Sequence, residues 1–500
     1  MKVPALLKLL IYFIFALLGM LLIYSAADSG LGIMNLVRYD KYELYLTPVR
    51  ALVVIFVMSV FAIVVNWSSS GLLRTLYPTN LFFLILSFMI LPGVFFTSNY
   101  ESYGDIAFYS YSGAVIVFSF GVLLVEYVSR MFTTEQNSPS SYAIRESQSY
   151  KFTSITYILF LFFYMFGCIS ILLTYKSDVN IYEYLGQFIK SGTVSDSVAE
   201  IAESRQSIYE DGSNAKNLLN VYSSYSLVMI MPLSALFVLI NGLIRNKKIE
   251  VAIAILMLVV NFLLLIANGT RLRGMFFLLY IVVAYSFIRP ISYKQVKYFS
   301  ISAIGLLVMQ TITLGRMEPG SGYLENIILS LNRVVERIFL TKGYVTQKVF
   351  EYIPGITDYR YGETFLGSLG GRLKKDDLIF SEEMNEFITG YAGTAGPQAF
   401  GEGYANFGIP GILILSFILG LFVHSTTVIV RKYNKMDAMR VVFLAYVTIL
   451  VARIGYGDTF TFKNNGMHIL IIIGAVFIFA KMFFKSILSN THHMKYKSNI

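Results

Sequence analysis

Cysteine is almost absent from this sequence. The single residue, Cys168, lies inside an apolar run, so neither an intrachain disulfide nor a cysteine-built metal site can form. Histidine is nearly as scarce, with four residues, His424, His468, His492 and His493. Only His468 falls near an outer surface in the topology developed below, which speaks against a histidine metal site. No Walker loop, dinucleotide fingerprint or HExxH helix occurs, so soluble nucleotide and zinc-protease chemistry find no support and no cofactor or metal is expected. Charge is thin as well. Only 14% of the 500 residues are Asp, Glu, Lys or Arg against 56% hydrophobic, outside the range of globular domains, so the solvent for most of the chain is lipid. The net charge of +10 carries no nucleic-acid signal, because Lys and Arg gather in short loops between apolar runs and not along one helix face.

What the chain has in abundance is apolar windows long enough for a bilayer core, which takes roughly 20 residues per helix. They fall near 5–25, 48–66, 79–98, 107–128, 152–174, 218–242, 249–267, 271–288, 297–314, 406–430, 438–454 and 467–485. The first follows Lys2 and Lys8, is long and lacks a small-residue cleavage site, and reads as a retained helix. With the N-terminus inside, Arg74, Arg130, Arg145, Lys151, Arg245, Lys247, Lys248, Arg289, Lys294, Arg431, Lys432 and Arg440 all fall in cytoplasmic loops. Both termini are therefore expected in the cytoplasm. The expected organisation is an all-α polytopic protein of about 12 transmembrane helices. It divides into helices 1–5 (residues 1–174), a first outer loop (175–217), helices 6–9 (218–314), a second outer loop (315–405), and helices 10–12 with a tail (406–500).

The informative charges are those that break this alternation. The hairpin 268–274 lies on the outer side, yet it holds Arg271 and Arg273. An interfacial anchor or a salt bridge would account for them; so would an anion, since guanidinium forks two N–H donors onto phosphate and Gly269 and Gly274 allow close backbone approach. In the first outer loop, residues 178–216 show helical spacing of Ile181, Tyr184, Leu185 and Phe188 and read as a cap on the membrane whose acidic residues form a solvated face. In the second, residues 324–340 have the spacing of an amphipathic helix, with Arg333 and Arg337 one turn apart. Asp358, Arg360, Arg372, Lys374 and Lys375 follow, a glycine-broken basic cluster on a face that normally avoids such charge. The stretch Gly390-Tyr-Ala-Gly-Thr-Ala-Gly-Pro-Gln-Ala-Phe400 is too rich in glycine for regular helix and runs into Gly401-Glu-Gly-Tyr-Ala-Asn-Phe-Gly408. Irregular backbone at membrane depth lines protein or a watery cavity, so Glu402 is a candidate general base, or pairs with an arginine such as Arg453; the two roles are compatible. Arg453 ends a span facing outward in a cluster with Asp458, where it can also simply snorkel to water.

The span layout, the Thr270-Arg-Leu-Arg-Gly274 hairpin, the large late loop, and the run from Tyr361-Gly-Glu-Thr-Phe365 through Gly401-Glu402 and Asn406-Phe-Gly408 resemble the Wzy-type oligosaccharide repeat-unit polymerases of bacterial surface polysaccharides. The family's frequent Pro-Arg pair is Gly371-Arg372 here. The related O-antigen ligases usually carry a histidine in the late outer loop, and this chain has none before His424. The resemblance implies a C-type glycosyltransferase fold in the inner (cytoplasmic) membrane. It also implies an undecaprenyl-pyrophosphate-linked oligosaccharide substrate, and a chain-length regulator and a flippase as partners. The implied reaction is metal-independent and inverting, with Arg271, Arg273, Arg372 and Arg453 on the pyrophosphate. Glu402 and then Asp458 would serve as base, and Arg333, Arg337, Arg360 and Tyr404 would face the substrate. A ligase, or a flippase or other secondary transporter, is the competing expectation; a transporter would tend to show two related halves, and none are evident between 1–243 and 249–485.

Overall fold

The computed structural model describes residues 43–44, 47–68, 76–98, 103–132, 154–175, 226–267, 271–289, parts of 291–298, 341–365, 380–390, 395–432 and 438–457. The described chain is mostly helical, with one two-residue antiparallel pairing of β1 (Glu43–Leu44) and β2 (Thr97–Ser98). In order the helices are α1 (Pro48–Ser68), α2 (Pro78–Ile85), α3 (Leu91–Phe96), α4 (Tyr103–Phe132), α5 (Ser154–Tyr175), α6 (Met231–Ile244), α7 (Lys248–Ala267), α8 (Arg271–Ile288), α9 (Thr341–Tyr352), α10 (Phe380–Thr389), α11 (Gln398–Lys432) and α12 (Ala438–Ala452). A π turn, Leu86–Ile90, joins α2 to α3, and a second, Ser226–Ile230, leads into α6. Proline stands at the first position of α1 and α2, where its missing N–H costs nothing, and Pro232 follows the π turn that leads into α6. Asp105 in the first turn of α4 and Arg130 in its last complement the helix dipole.

Among the described residues five helices are long and apolar enough to cross a membrane, which makes this an all-α protein of membrane type. Large apolar side chains stand exposed on their outer faces, among them Phe56, Phe120, Leu256, Phe422 and Phe443. A helix apolar on both its packed and its open face is matched to lipid and not to water. The windows at 48–66, 107–128, 249–267, 271–288 and 438–454 each fall on described helix, 79–98 does so as far as Phe96, 152–174 from Ser154 onward and 218–242 from Ser226 onward. The windows 5–25 and 467–485, the window 297–314 apart from Tyr298, the loop cap at 178–216 and the amphipathic stretch 324–340 lie outside the described residues.

The bundle is organised on the contact between α4 and α11, which run in the same direction. Leu413 meets Gly113, Phe417 stacks near Phe120, and Gly420 meets Gly121. A Cβ on Gly420 would stand 2.3 Å from the Phe118 carbonyl oxygen and one on Gly121 2.7 Å from that of Phe417, so the backbones touch. Small residues allow this in lipid, where association relies on close packing and not on expulsion of water. Phe118 then stacks on Phe82 of α2 at 4.6 Å and meets Phe61 of α1 edge-on, tying four helices together.

Toward the far end of the same pair lies a buried charged network. Glu126 accepts from Arg130 Nε at 3.0 Å and Arg431 Nη1 at 3.1 Å, and lies 2.8 Å from His424 Nε2. The other imidazole nitrogen meets the Thr79 hydroxyl at 3.0 Å, and that hydroxyl meets Thr427 at 2.7 Å. Arg431 also lies over the Tyr77 ring. A carboxylate in this setting is tolerable because three side chains, one on its own helix and two on α11, supply its partners.

Two substitutions separate these contacts. Gly420→Leu should lower stability by roughly 2–3 kcal/mol through overpacking, and Glu126→Ala by roughly 3 kcal/mol through stranding its cations. Thermal unfolding in detergent measures both, with the exposed Leu256→Ala as the near-neutral reference.

Candidate functional site

The late loop does not stay outside the bundle. Helix α9 packs between α3, α4 and the start of α11, with Gly343 so close to Gly93 and Val94 that a Cβ would come within 2.3 Å of the Gly93 backbone. Its buried polar residues find partners at once. Gln347 Nε2 donates to the Val94 carbonyl at 3.0 Å and Thr346 Oγ1 donates to the Lys342 carbonyl at 2.9 Å. Gln398, at the entry to α11, is 1% exposed and holds a left-handed backbone (φ 55) that side chains seldom adopt. It is fixed by two donations from its amide, to Tyr111 Oη at 2.8 Å and to Thr346 Oγ1 at 2.9 Å.

Sequence reasoning expected irregular backbone from Gly390 on into the Gly401–Gly408 stretch. Residues 395–397 are non-helical, but 398–406 form a helical first limb, and the break comes at Phe407 and Gly408. Gly408 adopts φ 65 and ψ −150, a conformation essentially reserved for glycine, and Pro410 just beyond cannot donate back across the gap. The second limb, residues 409–432, is alone about 35 Å long, sufficient to cross a bilayer core. The two limbs meet: a Cβ on Gly411 would stand 2.2 Å from the Gly403 carbonyl oxygen, a contact impossible in a straight helix, where eight residues span about 12 Å. A limb ending inside a membrane protein leaves carbonyls to satisfy. The turn after α9 does so, Arg360 N donating to the Ala405 carbonyl at 2.9 Å and Tyr361 N to that of Asn406 at 3.1 Å. Asn406 clasps the same turn, accepting from Gly362 N at 2.8 Å and donating to the Thr364 hydroxyl and the Glu402 carbonyl. Glu402 itself is buried in this limb at 1% exposure.

Beside the limb's entry, two cations are held on aromatic faces. Arg453 opens the 3₁₀ turn Arg453–Gly455 that ends α12, its guanidinium 4.3 Å from the centroid of Phe276 in α8. Lys342, in the first turn of α9, places Nζ 4.6 Å from the centroid of Tyr456 and donates to the Gly396 carbonyl at 3.0 Å. Tyr456 and Phe276 stand edge to face at 6.1 Å, so the two cations flank one aromatic pair. Gly455 lies against the ring of Phe82, which links this corner to Phe118 and Phe400. The expected arginine hairpin is helix from Arg271 onward: Arg271 and Arg273 occupy the first turn of α8, one turn ahead of Phe276. Arg271, Arg273 and Arg453 thus share one end of the α8–α12 pair.

At the rim, Arg360 pairs with Glu383 of α10, and Tyr352 Oη donates to the same carboxylate oxygen at 2.7 Å. Burial, reinforced by Glu383, pushes the Tyr352 phenol up to about 12, so it remains a donor throughout the neutral range. Tyr404 is 3% exposed, stacked on Phe350 at 3.8 Å and edge-on to Tyr359, whereas Tyr361 in the adjoining turn is 74% exposed. Arg333, Arg337, Arg372 and Asp458 lie outside the described residues. Lys342 and Gln398 were not singled out from the sequence. The signal for Lys342 was its spacing with Thr346 and Phe350, one face of a helix, hidden in a stretch polar enough to read as loop. No family model matches the chain, and neither curated proteins nor solved structures yield a significant match.

Gly408→Ala puts a side chain into a glycine-only conformation 3.2 Å from the Tyr359 ring. The expected loss is about 2 kcal/mol, read as a lower unfolding temperature, with Gln398→Ala costing a similar amount (~2 kcal/mol) through the donors it withdraws from Tyr111 and Thr346.

Proposed function

We propose that the protein is an integral-membrane glycosyltransferase that polymerises undecaprenyl-pyrophosphate-linked oligosaccharide repeat units into surface polysaccharide. The single observation that carries this reading is the grouping of cationic positions, Arg271, Arg273 and Arg453, at one end of the α8–α12 pair beside the folded-back limb that bears Glu402. The proposal places the chain in the bacterial cytoplasmic membrane with about twelve spans, a C-type glycosyltransferase architecture and both termini in the cytoplasm. That topology puts the grouped cations on the outer side, where a lipid-linked substrate would be presented.

The chemistry needs little beyond fixed positive charge. A hydroxyl of the incoming repeat unit attacks the anomeric carbon of the growing chain, the bond from that carbon to the pyrophosphate oxygen breaks, and the lipid pyrophosphate leaves with the bonding pair. One displacement inverts the anomeric centre. Arginines preset where negative charge develops lower the barrier without reorganising during the step. The hydroxyl proton passes to a carboxylate, Glu402 or Asp458, or to the departing diphosphate. The complete burial of Glu402 favours a carboxylate that locks the limb to its neighbours over one open to an acceptor hydroxyl.

Gel profiles of surface polysaccharide test the reading. Deleting the gene should leave the lipid core capped by one repeat unit and abolish the ladder; loss of the single-unit caps as well would favour a ligase or a flippase. In complemented cells Arg453→Lys, and likewise Arg271→Lys with Arg273→Lys, should cut polymer at least about tenfold, because an ammonium does not reproduce the bidentate fork. Glu402→Gln with full polymer would remove it from the acid–base step.

A further inference from the structure

Backbone strain singles out Tyr361, a residue that the grouped cations and the proposed chemistry leave unused. We infer that Tyr361, together with Phe407 and Ile409, is a membrane-contacting edge that inserts into the interfacial layer of the lipid bilayer and holds the clasp of the folded-back limb at that depth. The inference concerns how the protein is seated in lipid and stands apart from the reaction proposed above.

Tyr361 has a left-handed backbone, φ 45, which a bulky side chain adopts only where its surroundings force it. The clasp does the forcing. Tyr361 N donates to the Asn406 carbonyl at 3.1 Å, Gly362 N to Asn406 Oδ1 at 2.8 Å, and Glu363 N to the Arg360 carbonyl at 2.9 Å. Glycine would take this conformation without steric cost, so a tyrosine here must gain something that glycine lacks. Gln398, with a similar backbone, gains burial and its bonds to Tyr111 and Thr346. Tyr361 gains nothing of that kind, being 74% exposed and, among the described residues, without a partner for its ring or hydroxyl. The offsetting contact therefore lies outside the chain.

The position of the turn identifies that contact. The second limb of α11, from Ile409 to Lys432, is long enough to cross a bilayer core. Ile414, Ile418, Phe422 and Ile429 stand exposed along it, and Arg431 and Lys432 close its far end. Ile409 thus marks the opposite boundary, and the turn carrying Tyr361 is bonded to Ala405 and Asn406 just beyond it. Two more apolar side chains stand open at this end. Phe407 is 48% exposed, with its Cζ 3.8 Å from where a Cβ on Gly362 would lie, and Ile409 is 47% exposed. Tyrosine suits such a boundary, since its ring is apolar and its hydroxyl stays hydrated. Asp358 and Glu363, exposed in the same turn, would suit a saccharide stacked on the ring. Phe407 and Ile409 offer a saccharide hydroxyl no partner, whereas the lipid boundary accommodates ring, phenyl and alkyl group together and leaves the carboxylates in water.

The experiment uses the full-length protein reconstituted in phosphatidylcholine vesicles. Trp67 is the only tryptophan of the chain, so Tyr361→Trp in a Trp67→Phe background gives a single emitter. Lipid brominated near the glycerol end of its acyl chains should quench that emitter about twofold more than lipid brominated near the chain ends, and Ile418→Trp, midway along the limb, should show the reverse order. Quenching of the Tyr361→Trp variant by aqueous iodide with none from brominated lipid overturns the inference and returns the ring to water, the surface a soluble saccharide would use. Stronger quenching from the chain ends overturns it as well, because the turn would then lie in the core. If Trp67→Phe does not fold, a nitroxide on Tyr361→Cys in a Cys168→Ala background gives an independent reading. Its relaxation by oxygen relative to a water-soluble nickel chelate should exceed that of the free label in buffer; an equal ratio overturns the inference.

Discussion

Close backbone contact between α4 and α11 is the constraint from which the remainder of the fold follows. Gly121 and Gly420 bring the backbones of two long helices together, and Gly113 makes room for Leu413 further along the seam. That contact aligns Glu126 with His424 and Arg431, and it sets Phe118 in position to receive Phe61 and Phe82. In lipid no expulsion of water drives helices together, so proximity has to come from small residues and from polar groups with nowhere else to bond. The pair has both.

The folded-back limb of α11 is a second expression of the same physics. Backbone that ends a helix within an apolar bundle must find donors, and here the turn 360–362 supplies them. Gln398 and Thr346 do the equivalent at the limb's entry, and Asn406 at its exit, each using its side chain on more than one partner. Such saturation makes the limb rigid, so any group it carries is held without rearrangement. The proposed transferase, working through fixed electrostatics, would need that property more than a reactive side chain.

The sequence made the spans readable because bilayer thickness imposes a length that composition cannot disguise; α1, α7, α8 and α12 begin and end within a few residues of the apolar windows. Arg271, Arg273 and Arg453 were visible for a related reason, each being a charge where the alternation of loops forbids one. What escaped was structure made from polar segments. Helix α9, with Lys342, Thr346 and Gln347, has the composition of a surface loop, and only its tertiary partners show why it enters the bundle. Residues 401–406 carry two glycines, which read as a break, yet Gly403 is there to admit Gly411 and not to interrupt a helix. Glu126 and His424 were passed over because each sits alone in its own span and they meet only after folding.

That last pairing has a bearing on how the protein is made. Glu126 and His424 are 298 residues apart in the chain. At ribosomal rates of about 5–20 residues per second, α4 enters the membrane some 15–60 seconds before the helix that completes its carboxylate's surroundings exists. Arg130, one turn along the same helix, is the partner present from the start. During synthesis it serves as a chaperone for the charge, and in the finished protein it becomes one ligand among three.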